Sequence, residues 1–178
     1  MSRIATLDPT TAPGEAGAFL AAITAKFGST PNFFRTIAHA PAVANAFVAF
    51  NGALANTRLS VQQREIIALT QAGLHGCPYC GAYHVFAATK AGMPREQALA
   101  WLKGETPGTA DAALARFAHA VLTHRGRISD EDLADLRNHG FDDGHVIDIM
   151  AVIAANVFTN FVNLAAQTDV DFPAVSGL

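Results

Sequence analysis

The sequence predicts an all-α fold, a compact bundle of several helices. Three observations carry that prediction. Alanine-rich stretches recur along the chain with apolar residues at three- and four-residue spacing. Glycines, prolines and capping residues punctuate those stretches. No segment reads as a convincing strand. The 178 residues suffice for one domain with a proper core, and neither a linker nor a low-complexity tract divides them, so residues 1–178 are read as a single helical domain.

Residues 1–14 carry Pro9, Pro13 and Gly14 and read as an irregular arm. Glu15 to Phe27 has Phe19, Leu20, Ile23 and Phe27 at helical spacing, and Gly28 ends it. Pro31 opens a short helix with Phe33, Phe34 and Ile37. After Pro41, residues 42–55 carry Val43, Phe47, Phe50 and Leu54 as a long apolar stripe. Ser60 caps a helix from Val61 to Leu74 with Ile66, Ile67, Leu69 and Leu74 on its buried side, closed by His75-Gly76. The next helix starts at Cys77, has Pro78 at its first position and runs to about Ala91. Pro94 starts a short helix to Leu102, and residues 104–108 form a loop. Thr109 to His124 is helical, and Gly126 stops it. Ser129 caps Asp130 to Asn138, with Asp132 in the capping-box position. Asp142 or Asp143 caps the last long helix, from Gly144 to Gln167.

Composition narrows the function classes. Hydrophobic residues make up 51% of the chain and charged residues 15%, more apolar surface than one small domain hides, so a homo-oligomer is expected. The net charge is −3 and no Lys/Arg run exists, which argues against nucleic acid and anionic membranes as partners. The N-terminal residues do not read as a signal peptide. The longest apolar stretch, Val146 to Phe158, is too short to span a bilayer and reads as a buried helix. A cytoplasmic location is the default expectation.

The two cysteines stand three residues apart, in Cys77-Pro78-Tyr79-Cys80. A single close pair points to redox or metal chemistry rather than a disulfide scaffold. Pro78 sets both thiols in the first turn of a helix, where unpaired backbone N–H groups and the helix dipole stabilise a thiolate. Residues three apart share a helix face, so a disulfide between them is geometrically easy. His84, four residues after Cys80, lies on the same face and can accept its proton or hold its thiolate. Glu65 precedes the turn at His75-Gly76 by about as many residues as His84 follows it, so an antiparallel hairpin brings the two within a turn of each other. A carboxylate beside an imidazole orients it, raises its basicity and relays a proton.

Leu59-Ser60, Arg64 to Leu69, Cys77 to Cys80 and His84, followed by Ala87 and Gly92, resemble the core motif of the alkylhydroperoxidase AhpD-like group in the carboxymuconolactone decarboxylase superfamily. The motif is Glu, eleven residues, Cys-x-x-Cys, three residues, His, and every spacing matches. The resemblance covers residues 59–100. Its flanks, Pro31 to Phe34 and Asn156 to Pro173 with Asn160, Asn163 and Asp171-Phe172-Pro173, are similar to the peroxidase-related branch. The resemblance implies an AhpD-like bundle and an antioxidant thiol peroxidase without haem, flavin or metal cofactor. It further implies trimers or hexamers. Cys80 is then the thiol that attacks a hydroperoxide, Cys77 resolves the sulfenate as a disulfide, His84 and Glu65 form the proton relay, and a dithiol reductant of unspecified identity closes the cycle. Helix position alone leaves the order of the cysteines open, since Cys77 is nearer the helix end; the His84 spacing favours Cys80. One departure is Tyr79, where the best-known members carry a histidine, and tyrosine is a poor base near neutral pH.

Two rival classes stand beside this reading. One is a non-catalytic redox sensor or assembly protein that uses the dithiol as a switch; the other is a lactone decarboxylase, whose chemistry has no need of a dithiol. Zinc held by Cys77, Cys80 and His75 or His84 lacks the second cysteine pair of structural sites. Gly81 after Cys80 excludes c-type haem attachment. Tyr83, Trp101 and the phenylalanines read as packing or interface residues, with one edge of the Phe33-Phe34 and Phe47/Phe50 set available to line a pocket. The remaining histidines read as solvent-facing or structural.

Overall fold

A computed structural model describes residues 2–105 and 111–175. Among the described residues it is all-helical: α1 (Gly14–Phe27), α2 (Asn32–Ile37), α3 (Pro41–Ala53), a 3-10 turn (Leu54–Asn56), α4 (Val61–His75), α5 (Pro78–Lys90), α6 (Arg95–Leu102), α7 (Asp111–Thr123), α8 (Asp130–Asn138) and α9 (Asp143–Ala166). The expected start of α7 at Thr109, and residues 106–108 of the loop before it, lie outside the described residues.

Helix α4 is the axis of the bundle, packed by α5, α6, α7 and α9. Residues Ile66 to Ala72 are buried without a break. A helix surrounded by helices has no solvent stripe to keep polar. Two apolar clusters meet on it. Ile66 and Leu69 join α1, α2, α5 and α6 around Trp101, Tyr79 and both cysteines. Ile67 joins α7, α8 and α9 around Leu114, Phe117, Leu136 and Ile149. Leu74 departs from the sequence reading: it is 42% exposed, because the last turn of α4 carries the apolar periodicity beyond the helices that cover it.

The caps explain where the chain turns. The Ser60 hydroxyl accepts the Gln63 N–H while the Gln63 side chain accepts the Ser60 N–H, and Ser129 with Asp132 repeats the pattern. Helix α9 runs within a residue of the expected Gly144–Gln167 at each end. Its 24 residues are long and apolar enough to cross a membrane by length and composition. Here it packs against α2, α3, α4, α5 and α7, burying Ile149, Val152, Ile153 and three asparagines.

Gly73 marks the tightest helix approach, since a Cβ there would collide with the Leu102 carbonyl of α6. Gly73→Ala is expected to cost about 2–3 kcal/mol through backbone displacement. In a chain of this size each kcal/mol lowers the melting temperature by about 2–4 °C, which a thermal melt followed by circular dichroism reads directly.

Candidate active site

The site is built at the α4–α5 junction. Gly76 closes α4 with φ 61° and ψ 42°, a left-handed conformation that favours glycine. Cys77 follows as the N-cap of α5, Pro78 is the first helical residue and Cys80 the third. The Cys80 N–H donates to Cys77 Sγ at 3.2 Å, so the sulfur does the work of a capping oxygen. The two cysteines are joined as a disulfide. Both are buried, Cys77 completely. The sequence places Cys77 nearer the helix end, and the fold covers that end, so proximity to a terminus does not translate into access.

The hairpin does what its spacing predicts. His84 Nδ1 lies 2.8 Å from Glu65 Oε2, with side-chain exposures of 12% and 16%. Beside the pair is a cavity of about 270 Å³. Glu65, His84, Tyr83 and Cys80 line it, whereas Cys77 does not. The phenylalanines Phe33, Phe34 and Phe47 form part of its wall, while Phe50 is largely exposed on the outside of α3.

Residues far from the Cys-x-x-Cys segment complete the site. From α9, Asn163 Nδ2 donates toward Cys80 Sγ at 3.6 Å, and Asn156 and Thr159 also reach the cavity. Gln167 ends α9 in a left-handed conformation and turns the chain back. The returning tail lays Phe172 on the site, its ring centroid 5.1 Å from Tyr83 and 5.7 Å from Tyr79. Asp171 Oδ2 accepts the Asn32 N–H at 2.7 Å, and Asn32 Nδ2 donates to the Asp169 carbonyl. The Pro31–Phe34 and Asp171–Pro173 flanks, separate in sequence, are thus one structure over the dithiol.

Tyr79 ties these parts together. Its hydroxyl accepts the Phe33 N–H at 3.1 Å inside the core. Burial, the main cause, and the Asp171 carboxylate drive its pKa far above the ordinary tyrosine value, so it holds its proton. It is a strut rather than a base. Tyr83 stands edge-on to His84 at 4.8 Å. Although 40% of that residue is open, desolvation and the Glu65 charge push its hydroxyl up to about 12. Neither phenol exchanges protons with the site near neutral pH. His75, on the far side of the turn, is pushed below the usual histidine value by burial. Among the described residues no three His, Cys, Asp or Glu side chains gather as a metal-ligand set.

Residues 41–123, running from α3 to α7, match the carboxymuconolactone decarboxylase family. Over this segment, a little under half of its length, the chain is similar to that family. The family segment holds Glu65, Cys77, Cys80 and His84, but not α2, α9 or the tail that the fold brings to them. The bundle is AhpD-like. It superposes on a peroxidase-related protein with an alkylhydroperoxidase AhpD core from Ralstonia eutropha JMP134, at 27% identity and TM-score 0.80 over 96% of this chain and 92% of that one. A peroxidase-related protein from Silicibacter sp. TM1040 shares the fold at 24% identity and TM-score 0.80, covering 94% and 89%. The debrominase Bmp8 in complex with 2,3,4-tribromopyrrole shares it at 22% identity and TM-score 0.79, covering 96% and 92%. None of the curated proteins compared with the chain matches it.

Arg64, Asn163 and Phe172 are among the cavity residues to which the sequence assigns no role, although all three stand in the stretches that carry the resemblance. Tyr79→Phe is expected to leave the Phe33 N–H buried and unpaired, costing about 1–3 kcal/mol. Denaturant unfolding measures that loss, and faster hydrogen exchange at Phe33 localises it.

Proposed function

We propose that the protein is a thiol-dependent hydroperoxidase that cycles between the Cys77–Cys80 disulfide and the dithiol. The observation that carries the reading is the Glu65–His84 pair, hydrogen-bonded at 2.8 Å and facing the cavity that Cys80 lines and Cys77 does not. A substrate entering that cavity meets one sulfur and one imidazole.

In the reduced enzyme the Cys80 thiolate attacks the terminal oxygen of the peroxide. The O–O bond breaks, the S–O bond forms, and the departing alkoxide takes a proton from protonated His84 to leave as an alcohol. Cys80 is then a sulfenic acid. The Cys77 thiol gives up its proton and attacks Cys80 Sγ, the S–S bond forms, and hydroxide leaves as water. A dithiol reductant restores both thiols and is itself oxidised to a disulfide. The start of α5 supports the thiolate, and Glu65 supports the charged imidazole through its hydrogen bond. Asn163 Nδ2 is a positioning group aimed at the attacking sulfur. No metal, haem or flavin enters this balance. The reading includes a cytoplasmic homo-oligomer, trimer or hexamer; the exposed Phe27, Phe50, Ile147 and Phe161 support an assembly.

Peroxide consumption with dithiothreitol or a thioredoxin as reductant tests the proposal. The wild type should turn over continuously, Cys80→Ser should not, and Cys77→Ser oxidised without added reductant should consume one equivalent and hold a sulfenate that dimedone traps. Formation of the disulfide without sustained turnover, together with a change in oligomeric state, would instead support the redox sensor. Glu65→Gln should lower kcat/KM by about 10²-fold while leaving the slow chemical oxidation of the thiols unchanged. Asn163→Leu removes a hydrogen bond to a charged sulfur and should raise the Cys80 thiol pKa by about one to two units. The pH dependence of iodoacetamide alkylation in a Cys77→Ser background reads that shift.

A further inference from the structure

The cavity carries a charge that the redox chemistry does not use. Among its described lining residues only Arg64 and Glu65 bear permanent charge. Glu65 is engaged with His84. Arg64 is partly buried, and its one hydrogen bond among the described residues runs from Nη1 to the Leu59 carbonyl, at 2.6 Å. A guanidinium stays protonated at every physiological pH and offers five N–H donors in a planar fork. One donor is used, and no described carboxylate pairs with Arg64. The rest of the described wall is aromatic or neutral, so among the described residues the charge has no other counterpart within the cavity.

The hairpin sets where that charge stands. Because α4 and α5 are antiparallel, moving from His84 back to Cys80 on α5 is moving toward the C-terminal end of α4. Arg64 lies on the opposite side of Glu65 and leans back to Leu59. Along the hairpin axis the order is therefore the guanidinium, the Glu65–His84 pair, then the Cys80 sulfur. The four residues from His84 to Cys80 alone span about 6 Å.

We propose that Arg64 is a recognition residue for an anionic group, and that the cavity selects compact apolar substrates carrying a carboxylate at the end remote from the reacting oxygen. The peroxide end of this assignment rests on the hydroperoxidase reading: the O–O bond meets Cys80 and His84, the ring or short chain lies among Phe33, Phe47 and Phe172, and the carboxylate meets the Arg64 fork. A volume of about 270 Å³ suits a body the size of a substituted ring rather than a long acyl chain.

The test separates the anion site from the redox chemistry by using a matched pair of unreactive, product-like alcohols: cumyl alcohol with a para carboxylate, and the same alcohol with a para carboxamide. Titration calorimetry on the oxidised wild-type protein should show the carboxylate binding at least about tenfold more tightly, the equivalent of one charge-assisted hydrogen bond. Arg64→Gln should erase that preference, and Arg64→Lys should keep part of it, since the charge remains and the fork is lost. A thermal melt establishes that each variant is folded. Equal binding of the two alcohols to the wild type, binding of neither, or a preference that survives in folded Arg64→Gln would overturn the proposal. The wild-type comparison decides on its own if a variant fails to fold. The kinetic counterpart is the ratio of kcat/KM for para-carboxy cumene hydroperoxide over its methyl ester, which should fall toward one in Arg64→Gln. If the wild type consumes no peroxide yet keeps its preference for the carboxylate, the anion site stands and the hydroperoxidase reading fails.

Discussion

The turn between α4 and α5 governs this molecule. It compresses three requirements into three residues. Gly76 reverses the chain in a left-handed conformation; Cys77 spends its side chain as a helix cap; Pro78 starts the next helix where its missing N–H costs nothing. The Cys77 N–H returns to the Ala72 carbonyl at 3.0 Å and locks the reversal. The register that results brings Glu65 to His84 across the hairpin and sets Cys80 one turn beyond. A longer turn would shift α5 against α4, and the carboxylate and imidazole would part. The same turn lays α5 along α4, the helix on which α6, α7 and α9 also pack.

A buried dithiol still has to be reached, and the fold answers with an aromatic chamber rather than an open helix end. Cys77 is sealed from the cavity and Cys80 opens onto it. This asymmetry comes from packing, since both sulfurs share the first turn of one helix. The wall is assembled from the opposite ends of the chain. Asp171 accepts the first N–H of α2, an anion at a helix start, and so fastens the tail that carries Phe172. Tyr79 receives the next N–H along α2. Tyr79, where the resemblance leads one to expect a histidine, therefore contributes a structural bond, and Glu65 and His84 are the hydrogen-bonded titratable pair beside the cavity.

Much of this was legible in the sequence for identifiable reasons. Helix starts followed from Ser60, Ser129, Asp142 and the proline positions, which act locally and need no tertiary context. The Glu65–His84 contact followed from counting residues across a short turn, since helical rise is nearly constant. Periodicity was weaker where it had to say what covers a face. It placed Leu74 inside, yet 42% of that residue is open. It bounded the last helix to within a residue, Gly144 to Gln167 against Asp143–Ala166, without saying what Asn160 and Asn163 on it face. Asparagines on an apolar helix read as interruptions until a partner is known, and for Asn163 the partner is a sulfur 83 residues away in sequence. Arg64 was masked in a similar way, because an arginine early in a helix is ordinarily a solvated surface charge.

The arrangement also bears on how a small cavity performs two tasks. On the proposed reading, attack on an O–O bond needs a thiolate and a protonated imidazole, the one supported by the start of α5 and the other by Glu65. Recognition of a substrate needs a feature that does not interfere with that pair. An additional carboxylate would compete for His84, and an additional base would compete for the thiol proton. A guanidinium does neither, because it has no accessible neutral form and accepts no hydrogen bond. Setting it on the residue next to Glu65, but turned toward Leu59, keeps it in the same chamber without pairing it to the relay carboxylate. On the proposed reading the adjacent residues Arg64 and Glu65 divide the cavity between them, one side for charge recognition and the other for proton transfer, with the aromatic wall between the tail and α3 beside both.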